Sequence, residues 1–349
     1  MSLPITLYLG VLIFSFIITS VAIIPFINFL FKIKFRRHAQ ITRNIHGHRL
    51  RTFDELSNWK AGTPVGGGLL VIVIVSILFF ILFPAVQTLG FNIHSAHNIW
   101  KEIFIIFFTF GSFGILGFYD DLLKFFRINI GKRKFFGLRF WQKFAIQWLI
   151  ALIIGWLLYS LGIHSIHIPS TEINLNLGWI YIVVAAFIIV MFTNAYNITD
   201  GLDGLSTGLL MICLFAFWAL SSTELDTILS LFISLWLGAI VAFLYFNVFP
   251  ARIYLGDVGA LSFGATLAVV GLLLGKPIAL FVIGAIFLAE GFSSFVQIMS
   301  RRIFKRRVLP AAPFHLTLQK AGWEEPKVVF RAWLAGIMLS IFGLWLSSL

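Results

Sequence analysis

Residues 194–205 read Asn194-Ala-Tyr-Asn197-Ile-Thr-Asp200-Gly-Leu-Asp203-Gly-Leu205. The stretch closes one apolar run, 177–196, and opens another, 205–221. Each run is near the ~20 residues that an α-helix needs to cross a bilayer. A very short link between the runs holds two aspartates and two glycines. A carboxylate at a membrane boundary loses hydration unless a cation or a donor replaces it. The pattern recurs twice: Asp120-Asp121 follow the run ending at Tyr119, and Asp257 lies in Tyr254-Leu-Gly-Asp257-Val-Gly259. Five aspartates at three bilayer edges predict one shared face and one shared task.

Working outward, 60% apolar and 11% charged residues in 349 exclude an ordinary soluble domain. Apolar runs fall at about 5–31, 66–83, 103–119, 140–161, 177–196, 205–221, 227–249, 259–275, 277–299 and 328–347. The reading is an all-α polytopic membrane protein of about ten transmembrane helices, a single domain over 1–349. No Lys or Arg precedes the first run, which is too long for a cleaved signal and reads as a retained helix. Of 26 Lys and Arg, only Lys101 and Lys276 fall on the side opposite the aspartates. The basic side is therefore predicted to be cytoplasmic, both termini external, and the active site at the cytoplasmic edge. The net charge of +12 is then chiefly a topology signal and an attraction to anionic lipid. Nucleic-acid binding is the weaker reading of it. A single cysteine, Cys213, excludes a disulfide or thiolate cluster within the chain.

Several segments have bland readings. His38, His46 and His48 lie in a basic loop, and His94 and His97 read as solvated loop histidines with no useful carboxylate beside them. The segment 162–176 alternates apolar and polar residues, as a surface hairpin does. Glu290 and Gln297, seven residues apart, share a stripe of the ninth span; an intramembrane Glu faces protein or water, with a partner. The cluster Arg301-Arg302-Ile-Phe-Lys305-Arg306-Arg307 alone is a positive-inside anchor.

Adjacent carboxylates such as Asp120 and Asp121 repel unless a cation bridges them or one stays protonated. A helical turn would bring Lys124 alongside them. Asp200 and Asp203 would share a face if their turn were helical. Five carboxylates without thiols suit a hard, oxygen-ligated cation, Mg²⁺ above all, completed by substrate phosphates. Lys60, Lys124, Lys143, Arg252 and His315 are donors for anionic oxygens, and Tyr254 offers a stacking ring. Together they suit phosphoryl transfer at a lipid boundary, where catalysis is chiefly positioning and charge neutralisation.

The chain resembles the phospho-N-acetylmuramoyl-pentapeptide transferases of the polyprenyl-phosphate N-acetylhexosamine-1-phosphate transferase superfamily. The resemblance rests on Gly62-Thr63-Pro64, Asp120-Asp121-Leu-Leu-Lys124, Asn197-Ile-Thr-Asp200-Gly-Leu-Asp203-Gly, Phe249-Pro-Ala-Arg-Ile-Tyr-Leu-Gly-Asp257-Val-Gly and Gly322-Trp-Glu-Glu-Pro326. It implies transfer of phospho-MurNAc-pentapeptide from UDP-MurNAc-pentapeptide to undecaprenyl phosphate, giving lipid I and UMP with Mg²⁺, in the bacterial plasma membrane. On the resemblance, Asp257 is the principal Mg²⁺ ligand, with Asp120 and Asp121 near metal and lipid phosphate. Lys124 neutralises phosphate charge, and His315 joins the catalytic set. Lys60, Thr63, Asn197, Asp200, Tyr254 and Arg252 fall among the substrate contacts, Tyr254 by stacking on uracil. Asp203, Asn247 and Gln297 match further polar positions lining the cleft. Two departures stand out: the family's three histidines read His315-Leu316-Thr317, and its Gly-Thr-Pro-Thr ends in Val65. The implied partners are the two substrates and the bilayer, with a homodimer an open option. The alternatives are a transferase of a simpler UDP-N-acetylhexosamine, or a transporter of an anionic nucleotide or lipid, whose polar sites would sit nearer the midplane.

Overall fold

The structure, a computed structural model, describes residues 5–37, 60–88, 93–126, 137–169, 171 and 173–349. His38, His46, His48 and the basic residues of 127–136 lie outside the described residues. The element order is α1 (Ile5–Lys32), α2 (Gly67–Thr88), α3 (Ile99–Phe126), α4 (Phe140–Ser160), β1 (Ser165–His167), β2 (Asn174–Asn176) and α5 (Ile180–Thr199). There follow α6 (Leu205–Thr223), α7 (Thr227–Asn247), α8 (Gly256–Leu273), α9 (Pro277–Ile283), α10 (Ala285–Ile303), α11 (Phe314–Lys320) and α12 (Glu325–Ser348).

Among the described residues, nine helices are long and apolar enough to cross a membrane, and α9 with α10 makes a tenth if counted as one span. In hydrocarbon every backbone N–H and C=O must be satisfied within the segment, which leaves long apolar runs no alternative but helix. The run 277–299 is not the straight span its composition predicts. It bends by 75° at Gly284, where Phe192 packs so closely that a Cβ would stand 2.4 Å from its ring. The hairpin within 162–176 forms as read, with Ser165 opposite Asn176 and His167 opposite Asn174.

Burial sorts the helices. In α7, 94% of the apolar window is enclosed by protein, and in α8 89%, against 28% in α1, α4 and α12. The pair α7–α8 is thus the axis of the bundle, and the outer helices turn apolar faces to lipid. Without a hydrophobic drive between helices in lipid, close packing at small residues holds them. A Cβ on Gly68 of α2 would lie 2.3 Å from Gly259 Cα of α8, and one on Gly117 of α3 would lie 2.1 Å from the Asp257 carbonyl oxygen. α1 crosses α7 through Gly238, against the Leu12 carbonyl, and the Ser15 hydroxyl donates to Leu235 O at 2.7 Å. Midway along the axis, Trp236 and Phe263 pack edge to face at 5.4 Å, a geometry aromatic rings favour.

Candidate active site

The chain's site-bearing ends meet at one end of the bundle. α3 continues past Tyr119, so Asp120, Asp121 and Lys124 lie on its last turns, and the Lys124 ammonium reaches Asp120 Oδ2 at 2.9 Å as the i, i+4 spacing predicts. Asp257 sits in the first turn of α8, entered through Gly256 at φ 78°, a left-handed conformation that glycine adopts without strain. Lys124 also reaches Asp257 Oδ2, at 2.7 Å. Lys143, near the start of α4, pairs with the same Asp257 oxygen and with Asp120 Oδ2 at 3.1 Å. Two ammonium groups therefore bridge two carboxylates, and α3, α4 and α8 are tied by charge. Asp120 Oδ1 takes the Leu138 N–H at 2.6 Å, and Asp121 Oδ2 takes the Val258 N–H at 3.1 Å at the head of α8.

The link 200–204 is a turn rather than a helix. Asp200 ends α5, and Gly204 precedes α6 at φ 77°. Ser206 donates to Asp200 Oδ1 at 2.5 Å. Burial pushes the Asp200 carboxyl up to about 6, the Ser206 hydroxyl opposes this, and the Asp257 charge adds to it. Asp203 has its own partners: Oδ2 accepts the Ala251 N–H at 2.9 Å, and Oδ1 pairs with Lys60 at 2.6 Å. Lys60 in turn meets Glu325 Oε1 at 2.5 Å, and that oxygen also accepts the Asp203 N–H at 2.6 Å. Glu325, from Gly322-Trp-Glu-Glu-Pro326, was not among the predicted site residues.

A cavity of about 480 Å³ opens between these elements, within the size range of small-molecule sites. Asp121, Lys124, Asn197, Asp200, Asp203, Asn247, Tyr254 and Asp257 border it. Four of the five aspartates thus share one face, with Asp120 behind them. Asn197 Nδ2 stands 3.4 Å from Asp257 Oδ1. Asn247 is more deeply committed, accepting from Thr207 and donating to Ile253 O at 2.9 Å.

Other predicted residues lie outside this lining. Lys60 is buried in its ion pairs, and Thr63 hydrogen-bonds Tyr254. Arg252 places its guanidinium 5.5 Å from the Phe246 ring centroid. Gln297 secures a loop instead, donating to Leu309 O at 3.0 Å and accepting from Val308 and Leu309 N–H. His315 is buried against Glu290, with Nδ1 3.0 Å from Oε2. Leu316 is buried in packing, and the Thr317 hydroxyl donates to Ala311 O, so neither stands in for a ring donor. Arg36 and Arg37 border the cavity although sequence reading passed them over. Arg37 lies 5.5 Å over the Tyr254 ring, occupying a face expected to stack on a base. Their placement comes from bridges that sequence cannot reveal, Arg36 to Pro64 and Val65 to Tyr254. At the far end, burial raises the Asp226 carboxyl and the nearby His97 partly opposes this, so a carboxylate does lie within reach of one of the two histidines.

Among the described residues no three His, Cys, Asp or Glu side chains form a ready metal cage. Mg²⁺ binds through one or two carboxylates and takes the rest of its shell from water and phosphate. Asp257 and Asp121 both border the cavity, and the donors are all oxygen, so the residues fit the ion.

A cleft of carboxylates and ammonium groups at one end of a helical membrane bundle suits a transferase of phosphorylated groups at a lipid boundary. The model of the glycosyl transferase family 4 matches residues 103–275. The phospho-N-acetylmuramoyl-pentapeptide-transferase of Oceanobacillus iheyensis is 34% identical over 289 residues, 82% of this chain and 84% of that one. Those of Bacillus mycoides and Bacillus pumilus are 32% and 31% identical over 94% and 96% of both chains. The chain belongs to the phospho-N-acetylmuramoyl-pentapeptide-transferase family.

Proposed function

We infer that this chain transfers phospho-MurNAc-pentapeptide from UDP-MurNAc-pentapeptide to undecaprenyl phosphate, giving lipid I and UMP. The reading carries with it the bacterial plasma membrane, with the site-bearing end cytoplasmic. Its main support is the cavity bordered by Asp121, Lys124, Asn197, Asp200 and Asp257 in a chain of this family. In the reaction a lipid-phosphate oxygen forms a bond to the sugar-linked phosphorus of the donor. The bond from that phosphorus to the UMP oxygen breaks, and UMP leaves with the electron pair. Lys124 and Lys143, already beside Asp257, neutralise the phosphate charge that develops in the transition state. Asp121, on the cavity face, takes the proton of the lipid phosphate, and Asp120 behind it holds Lys124 and Lys143 in place. Asp200 and Asn197 meet the nucleoside side of the donor. Mg²⁺, held by Asp257 with Asp121 and Asp120 beside it, would supply further charge neutralisation.

Two assays test this. With undecaprenyl phosphate and equal concentrations of UDP-MurNAc-pentapeptide and UDP-GlcNAc, the lipid product is expected to carry MurNAc-pentapeptide, and a GlcNAc lipid would overturn the assignment. Asp257→Asn keeps the shape and removes the charge, and is expected to lower kcat by about 10²-fold or more. Undiminished turnover in EDTA would refute the metal.

A further inference from the structure

Glu290 and His315 are the site-end pair for which the transfer reaction supplies no task. Glu290 sits in α10, just beyond the break at Gly284, with its side chain 6% exposed against 1% for His315. A carboxylate buried in an apolar run is costly and persists only with partners. Among the described residues His315 supplies them all. The His315 N–H lies 3.1 Å from Oε1 and 3.3 Å from Oε2, and His315 Nδ1 lies 3.0 Å from Oε2. The carboxylate thus holds both the backbone and the ring of His315.

With Nδ1 committed, Nε2 is the ring atom left over. It is buried and has no hydrogen-bond partner among the described residues. It points at Gly201, where an added Cβ would stand 2.7 Å from Nε2 and 2.9 Å from Cε1. Gly201, with Asp200 and Leu202 on either side, borders the cavity. Only the hydrogens of that glycine separate the imidazole edge from the turn that meets substrate. A carboxylate on one ring nitrogen sets which nitrogen faces the work and fixes the ring plane.

We propose that Glu290 is the positioning residue for His315, holding Nδ1 so that the ring edge at Nε2 backs Gly201 and fixes the turn by which Asp200 meets the oxygen-rich nucleotide part of the substrate. This rests on the transferase reading for its substrate. It also explains why one histidine serves where the family has three: the ring that remains is the one a buried carboxylate aims.

A double-mutant cycle tests it. Glu290→Gln is expected to lower kcat/KM about tenfold, and the pair Glu290→Gln/His315→Ala to be no slower than His315→Ala alone, because Glu290 acts only through the ring. Gly201→Ala approaches from the other side. It is expected to cost as much as Glu290→Gln in the wild type and nothing further in His315→Ala. UMP affinity by calorimetry is expected to follow the same pattern. Multiplying losses in both cycles, or wild-type kinetics and UMP affinity for Glu290→Gln, would overturn the proposal. The Gly201 cycle decides the matter even where Glu290→Gln fails to fold. A wild type that releases no UMP from substrate counts against the transferase reading alone, and UMP binding to the same variants still decides the role of Glu290.

Discussion

Gly117→Ala is the sharpest single perturbation the fold offers. The added methyl would meet the Asp257 carbonyl oxygen at 2.1 Å, its carbon at 2.4 Å and the Val258 nitrogen at 2.6 Å. All three are backbone atoms, so no rotamer change relieves the clash. Restoring van der Waals contact requires α3 and α8 to separate by roughly 1 Å, at a cost of about 1–3 kcal/mol of stability. α3 carries Asp120, Asp121 and Lys124, and α8 carries Asp257, so the same movement pulls the two halves of the site apart. A misplacement of ~1 Å can cost about 10²-fold in rate, which is ~2.7 kcal/mol of activation energy. The assay is UMP release by purified enzyme, with thermal unfolding measured in parallel. Gly111→Ala, on the same helix with open space beside it, is the control and is expected to remain near wild type. If Gly117→Ala turned over normally while keeping its fold, the idea that the α3–α8 contact sets the catalytic geometry would be wrong.

Three further outcomes follow from named groups. Burial raises the Asp200 carboxyl from 3.8 to about 6; its contribution to stability is therefore present at low pH and is lost as pH rises through that window. Asp200→Asn is expected to flatten the fall in Tm over this range, and an unchanged Tm profile would refute it. Asp226 caps α7 by accepting the Leu229 N–H at 2.9 Å, and burial raises its carboxyl. Asn is an equally good cap without the charge, so Asp226→Asn is expected to match or exceed wild-type Tm, most clearly at alkaline pH, while Asp226→Ala loses about 1 kcal/mol. An Asn variant less stable than the Ala variant would contradict this. Leu316→His places an imidazole where packing is tight, and is expected to lower stability by about 1–3 kcal/mol rather than alter donor affinity, as a thermal melt and a KM measurement together would report.

The spans could be read from residues 194–205 outward because apolar length and a polar interruption are local properties. Asp120 and Lys124 were legible for the same reason, since a helix fixes the i, i+4 neighbour. What stayed hidden depends on contacts distant in sequence. Lys60 and Glu325 meet across 265 positions, and nothing in either neighbourhood announces the other. Gly284 looks like any glycine in an apolar run, and the Phe192 ring that fills the place of its missing Cβ comes from a helix distant in sequence. Glu290 and Gln297 do share a stripe, but the direction of α10 after that break decides what they reach: His315 for one, the 308–309 backbone for the other. Arg252 was read as a phosphate donor from its charge, yet its backbone N–H to Phe246 O at 2.8 Å turns it against that residue's ring.

The crossing of α1 on α7 also sets a timetable for biogenesis. Ser15 and its acceptor Leu235 are 220 residues apart. At the usual ~5–20 residues per second of synthesis, the first helix waits roughly ten to forty-five seconds in the bilayer before its partner emerges. Throughout that interval the Leu12–Phe16 backbone of α1, which will seat against Gly238, lies open to lipid, and the buried hydroxyls of Ser15 and Thr19 have no α7 to cover them. The first-made helix thus lacks its main partner until the chain is two-thirds made, and a ribosome stalled before residue 227 leaves a bundle without its axis.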